Sequence, residues 1–242
     1  MSASFKAFRQ FNEPGRQRLA GLRVPLSADF EKHFHASRHM DRFAIALAAR
    51  RAVPVKELLE SAEFYMRVRR RVRAQTMADL CAGHGLVGVL FAIFERSVES
   101  VILIDRRKPA SFSKVLDAAI EVAPWVADKV RYVEAPLENS VEHLPDGVGM
   151  VAVHACGVRT DRCLALAVAR RGPIAVMPCC YAQTAKPAPR ALQVALGAEL
   201  ATDVDRTYRL ERAGYTVDWS AIPEAITSMG RVLIGVPRPS AL

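Results

Sequence analysis

The stretch Met77-Ala-Asp-Leu-Cys-Ala-Gly-His-Gly-Leu-Val-Gly88 decides the fold. An apolar run carries an acid, Asp79, and ends in a small-residue loop with Gly83, Gly85 and Gly88 that opens a second apolar run. This reads as strand, tight turn, helix. Glycine lets the backbone turn sharply and approach a ligand closely, and the first turn of a helix presents N–H groups without partners. A loop of this kind suits a nucleotide-type cofactor, with Asp79, Cys81, Gly83 and Gly85 as candidate contacts; a G-x-G-x-x-G by itself serves a dinucleotide equally well.

Downstream, strands and helices alternate. Val101-Ile-Leu-Ile-Asp105 is an apolar strand closing on an acid 20 residues beyond Gly85, where a ribose diol would be hydrogen-bonded. The alternative for Asp105 is the N-cap of the following helix. Arg106, Arg107 and Lys108 come next, and a helix is expected over 109–122. Val130–Glu134 reads as a third strand, with Glu134 or the adjoining Ala135-Pro136-Leu137 bordering the adenine. Gly149–His154 and Pro173–Met177 read as the fourth and fifth, and Tyr215–Trp219 with Arg231–Val236 as a closing pair. In open parallel sheets ligands sit beyond the carboxyl ends of the strands. The segments His154-Ala-Cys-Gly157 and Pro178-Cys-Cys-Tyr181 therefore matter most.

Upstream, the charge changes character. The net charge of +9 lies wholly in the first third: residues 1–76 hold 16 Lys and Arg against 7 Asp and Glu, and residues 77–242 hold 18 of each. The reading is a basic helical N-terminal extension, 1–74, joined to a neutral domain, 75–242, with a polyanion as partner. Helices are expected over 27–51 and from Pro54 to about Arg73. The second sets Phe64, Val68 and Val72 on one stripe and surrounds it with arginines, of which Arg67, Arg70 and Arg71 are candidate phosphate contacts. Solvated arginines on a helix that covers the sheet are the plainer alternative. His33, His35 and His39 read as surface or packing histidines.

No apolar run reaches the roughly 20 residues that span a bilayer, and Met1-Ser-Ala-Ser-Phe-Lys6 has no signal-peptide core, so a cytoplasmic protein without a membrane partner is expected. Five cysteines, an odd number with no C-x-x-C pair, read as reduced thiols.

Asp79 stands four residues before Gly83 in a D-x-x-x-G-x-G pattern that resembles motif I of class I S-adenosylmethionine (SAM) methyltransferases. His154-Ala-Cys-Gly-Val-Arg-Thr-Asp161 and Cys179-Cys180 make the resemblance narrower. The H-x-C-G-x-x-T-D and C-C marks are similar to the group containing the tRNA position-4 ribose 2′-O-methyltransferase, methyltransferase-like protein 25 and the glutathione-S-transferase C-terminal-domain-containing protein. The resemblance covers about residues 76–182 and extends to Thr202–Tyr208 and Ile222–Thr227. It implies a Rossmann-like class I methyltransferase fold with a seven-stranded, mostly parallel sheet, and SAM as methyl donor. Asp79, Gly83, Gly85 and Asp105 are carried over as cofactor positions, joined by Cys81, Arg106, Glu134 and His154. RNA is the expected substrate, methylated on ribose or base, with Tyr181 as a further substrate contact. The other readings are a SAM- or RNA-binding module without turnover, and methylation of a protein or small molecule.

Methyl transfer from a sulfonium is an in-line displacement, so the enzyme aligns the acceptor and removes a proton where one must leave. His154 and Asp161 are the acid/base candidates. His154 serves equally by hydrogen-bonding the cofactor, and Asp161 by capping its helix. For Cys179 and Cys180 three uses stay open: a thiolate that adds to a base before methylation, metal ligation together with Cys156 and His154, or packing at a tight strand end. No metal is assigned.

Overall fold

The computed structural model describes residues 3–181 and 187–239. Helix α1 (His39–Ala49) and helix α2 (Val55–Val72) precede the first strand, β1 (Thr76–Leu80). Then follow α3 (Leu86–Phe94), β2 (Ser100–Asp105), α4 (Ser111–Val122), the single turn α5 (Val126–Lys129) and β3 (Val130–Glu134). The second half runs β4 (Gly149–Val153), α6 (Val158–Arg170), β5 (Ile174–Met177), α7 (Arg190–Leu196), α8 (Ala198–Arg212), β6 (Tyr215–Ala221) and β7 (Arg231–Pro237). The strands form one sheet in the order β3-β2-β1-β4-β5-β7-β6, parallel except for β7, which is antiparallel to both its neighbours. This is the expected Rossmann-like arrangement of the class I methyltransferase fold.

Helices on both faces bury the central strands, and successive residues serve opposite cores. Met77, Val101 and Leu103 face the core under α1, α2 and α3, whereas Ala78, Leu80, Ile102 and Ile104 face the one under α6 and α8. The chain reverses its winding between β1 and β4, which opens a crevice at their carboxyl ends.

The helix expected over 27–51 is broken. A 3-10 turn over Ala28–His33 ends at Phe34, whose backbone is extended, and α1 starts only at His39. Asp41, in the first turn of α1, reaches back to accept the His35 N–H at 2.8 Å, which ties the segment before α1 to the start of the helix. His35 is therefore off the helix that begins at His39.

The N-terminal region is stitched onto the sheet. Phe5, Phe8 and Phe11 are buried in the same core as α2 and α3. The buried Glu63 accepts the N–H groups of Lys6 and Ala7 at 2.8–3.0 Å. Helix α2 packs on α3, β4, β5 and β7, so the change of charge near residue 74 does not coincide with a break in packing. Among the described residues no helix is long and apolar enough to cross a membrane.

Candidate active site

Two residues at the crevice adopt a backbone conformation that side chains other than glycine rarely take. Cys81, just past β1, has φ 58°, and His154, just past β4, has φ 62°. Non-glycine residues in this region carry a conformational cost that surrounding structure must hold in place, and such positions concentrate at functional sites. Gly83 and Gly85 are also left-handed, at φ 50° and 76°. A Cβ on Gly85 would come within 2.7 Å of Leu103, whereas one on Gly83 would meet nothing within 4 Å. Gly85 is required by packing; Gly83 leaves open space above the loop.

Three side chains fix that loop. Asp79 is buried and accepts the Gly88 N–H at 2.9 Å, which satisfies an unpartnered donor in the first turn of α3. Burial pushes its carboxyl up to about 7; the Gly88 bond opposes this and the Asp105 charge adds to it. Asp105 accepts the Gly83 N–H at 2.9 Å through one oxygen and the Arg106 N–H at 2.7 Å through the other. The Tyr132 hydroxyl donates to the Gly83 carbonyl at 3.0 Å. Asp105 is not the cap of the next helix, because α4 begins at Ser111 with Ala110 at its N-cap.

Two adjoining hollows of about 200 and 230 Å³ flank this loop, and Cys81 and His154 border both. One runs past Ile104, Asp105 and Arg106 to Ala135, Leu137 and the arginines Arg159 and Arg162. The other lies over Asp79, Gly83 and His84 and is closed by Glu57 and Ser61 of α2. Glu134, expected here, lines neither; it accepts the Lys108 N–H at 2.9 Å, and Ala135 and Leu137 form the wall instead. The buried Cys163 thiol donates a hydrogen bond to the Cys81 sulfur, which lowers the pKa of Cys81 and raises that of Cys163.

His154 projects into this crevice with its side chain 40% exposed, and its Nε2 lies 2.9 Å from Glu60 Oε2. Glu60, on α2, is 1% exposed and also accepts Lys56 Nζ at 2.7 Å. Burial alone would raise the Glu60 carboxyl, but the bonds from His154 and Lys56 outweigh it and hold it below its ordinary value. An ionised carboxylate only accepts, so the ring nitrogen that faces Glu60, Nε2, carries a hydrogen and donates it. His84 contacts Glu57 at 3.0 Å through Nε2 and the Ser111 hydroxyl through Nδ1. Sequence reasoning missed Glu57, Glu60, Ser61 and His84. Their signal is the i, i+3, i+4 spacing of Glu57, Glu60 and Ser61, which puts three polar groups on one side of a helix otherwise apolar at Leu58, Leu59 and Ala62.

Several candidates are used elsewhere. Asp161, proposed as an acid/base group, is buried between α6 and α8, bound by Arg206 Nε at 3.1 Å and Arg209 Nη2 at 2.7 Å. Burial opposes its ionisation, yet these guanidiniums hold it below the ordinary carboxylate range, so it anchors helices and is a weak base. Tyr181, expected to touch substrate, donates to Asp203 at 2.6 Å in the same network, beneath the Arg206 guanidinium. Cys179 is joined to Cys156 in a disulfide with Cα atoms 5.9 Å apart, which corrects the expectation of five reduced thiols and removes Cys179 as a nucleophile in this state. Strands β4 and β5 are parallel neighbours with Val153 opposite Met177, so chains leaving them run side by side and bring these residues together. Cys180 is free and half-buried and lines neither hollow.

The arginine helix is likewise corrected. Arg67 is 2% exposed and donates to Ser4, Glu63 and Ala221, which leaves no guanidinium face for a substrate. Arg71 pairs with Asp218, and Arg70 is exposed. Both sit ten or more residues beyond Glu60, about 15 Å along the helix and toward the opposite end of the sheet from the crevice.

Comparison with known proteins identifies the family. A family model described as a methyltransferase domain matches residues 52–187, a span that includes α2 and its Glu60. The glutathione S-transferase C-terminal domain-containing protein of Xenopus laevis is 31% identical over 106 residues, which is 44% of this chain and 16% of that protein; the chain thus spans a small part of this relative's length. Among solved structures, precorrin-6y C5,15-methyltransferase of Geobacter metallireducens aligns with a TM-score of 0.42 at 16% identity, covering 72% of this chain and 85% of that one. The M1A22 tRNA methyltransferase TrmK of B. subtilis aligns with a TM-score of 0.44 at 12% identity, covering 74% and 65%. The family match takes in more than half of the residues, including the glycine loop, the paired His154 and Glu60 and both strand ends of the crevice, and on that ground the chain belongs to the methyltransferase-domain family.

Proposed function

We propose that the protein is a SAM-dependent methyltransferase that acts on RNA at a hydroxyl or a protonated nitrogen. The observation that carries the reading is the hydrogen bond between His154 and the buried Glu60 at the edge of the glycine loop. When bound, SAM supplies a methyl group made electrophilic by the sulfonium.

The residues fit such a donor. One hollow carries Asp105 at the loop, an apolar wall of Ile104, Ala135 and Leu137, and arginines beyond it; the other carries the acids Glu57 and Asp79. Asp105 would accept from the ribose diol, the apolar slot would take the adenine face, and the acids of the other hollow would attract the cationic methionine end. The open space above Gly83 is where a side chain would fill the cradle.

Glu60 holds the His154 ring in one tautomer, and Nδ1 takes the acceptor's proton as the new bond forms. Support for RNA lies at the crevice rim. Arg106 and Arg159 line one hollow, where Arg162 pairs with Glu138, and Arg107 and Lys108 are exposed beside it, which suits a phosphate backbone better than the arginines of α2 do.

Calorimetry with SAM should show binding to the wild type and a loss of at least about tenfold in Asp105→Ala and in Gly83→Val. Unchanged affinity in both variants would overturn the cofactor site. Mass spectrometry of nucleosides from a deletion strain and its parent should reveal one missing methyl mark. An identical profile would overturn RNA as the substrate and leave the donor site standing.

A further inference from the structure

Beyond methyl transfer, we infer that Cys156, Cys179 and Cys180 form a binding site for a thiophilic divalent cation of the zinc class when the chain is reduced. Their sulfur atoms all lie within 4.8 Å of one another. A tetrahedral zinc site with Zn–S bonds of about 2.3 Å sets its sulfurs about 3.8 Å apart, so the cluster closes on an ion by side-chain rotation. All three cysteines are half-buried, which leaves a path for the ion to enter.

The backbone holds the cluster ready. Past the ladder of β4 and β5, the His154 N–H donates to the Met177 carbonyl at 3.2 Å and the Gly157 N–H to the Cys180 carbonyl at 3.4 Å, so the two exits stay paired. The buried Arg206 supports the first exit by donating to the Gly157 carbonyl, and Tyr181 ties the second to Asp203. Such supporting bonds are what fixes metal ligands in position.

A disulfide between Cys156 and Cys179 accounts for two of the sulfurs and gives the third no role. A cation uses all three. Three protein ligands leave a fourth position for water or a donor atom of the substrate, two residues from His154. The oxidised chain cannot bind in this way. Reduction by a phosphine breaks the S–S bond with two electrons from phosphorus; water supplies the oxygen of the phosphine oxide and the protons of two thiols, and the incoming cation then displaces the thiol protons.

The test needs no mutation at first. The full-length wild type is reduced with a phosphine, freed of reagent without air, and titrated with Zn²⁺ alone against a chromophoric chelator, in parallel with the oxidised chain. About one zinc per reduced chain, an affinity at least about tenfold weaker for the oxidised chain, and a thiolate-to-metal absorption band with Co²⁺ are expected. Cys180→Ser should weaken zinc at least about tenfold, and Cys163→Ala should not. Less than about a tenth of an equivalent on the reduced wild type, or equal binding by reduced and oxidised chains, would overturn the site. Neither result depends on whether SAM binds.

Discussion

Replacing Asp79 with asparagine should stabilise the protein while weakening the site it serves. The carboxyl is buried, and its pKa rises from 3.8 to about 7 because ionisation inside the core is costly. At about 1.4 kcal/mol per tenfold change, the ionised form costs about 4 kcal/mol relative to an unfolded chain with the ordinary value. Between about pH 4 and pH 7 the folded chain keeps a proton that the unfolded chain has lost, so stability falls as pH rises through that window and the full cost is present above it. Asparagine reproduces the protonated carboxyl, keeps an acceptor for the Gly88 N–H and never ionises. Asp79→Asn should therefore be more stable than the wild type by about 4 kcal/mol at pH 8 and by about 1.5 kcal/mol at pH 5. Urea denaturation at the two pH values reads this directly. An advantage of the same size at both, or a less stable variant at pH 8, would refute the placement of an ionising group in that core. The same variant should bind SAM more weakly at pH 8, because the cationic end of the donor loses an anion in the hollow that Asp79 lines.

The remaining expectations concern groups the structure places in pairs. Glu60→Gln should lower kcat by about 10²- to 10⁴-fold with SAM affinity within about threefold, since the amide no longer fixes the tautomer of His154; a rate within threefold of wild type would remove Glu60 from the reaction. Asp161→Ala should cost about 3–5 kcal/mol in thermal or urea unfolding, because it strips the fully buried Arg206 of a bidentate partner; a loss under about 1 kcal/mol would show that the network is not structural. Arg159→Ala should weaken RNA binding and reduce the salt dependence by about one phosphate, whereas Arg67→Ala should lower stability and leave that slope unchanged. The reverse pattern in filter-binding titrations would return the RNA path to α2.

The sheet was legible because its signal is local. A run such as Val101–Ile104 is short, rich in β-branched residues and bounded by polar ones, which reads as a strand buried on both faces, and the Gly83–Gly85 turn between an apolar strand and an apolar helix leaves few other readings. His154, Asp79, Gly83 and Asp105 come together at the crevice for the same reason: each sits in or just beyond the last residues of a strand whose position the alternation fixes. What stayed hidden depends on partners far away in sequence. Glu60 looks like any surface glutamate until β4 delivers His154 above it. Asp161 beside Thr160 reads as a catalytic or capping pair, and only the arrival of α8 with Arg206 and Arg209 shows it to be an anchor. The arginines of α2 suggested a nucleic-acid face because composition counts charges without their partners, and Arg67, Arg69, Arg71 and Arg73 all have acidic partners in the fold.

The attachment of α2 also bears on how the chain must be made. Glu60 meets His154 across 94 residues, and Arg67 meets Ala221 across 154. On a ribosome α2 emerges before every strand of the sheet, and its apolar side lacks part of its seat until β4, β5 and finally β7 have been synthesised. Closing contacts that distant is slow, because the entropy of a long loop must be overcome before any of them forms. Until then the apolar side of α2 lacks its full seat, and the excess of nine positive charges in the first third is of the kind that opposes contact between like segments.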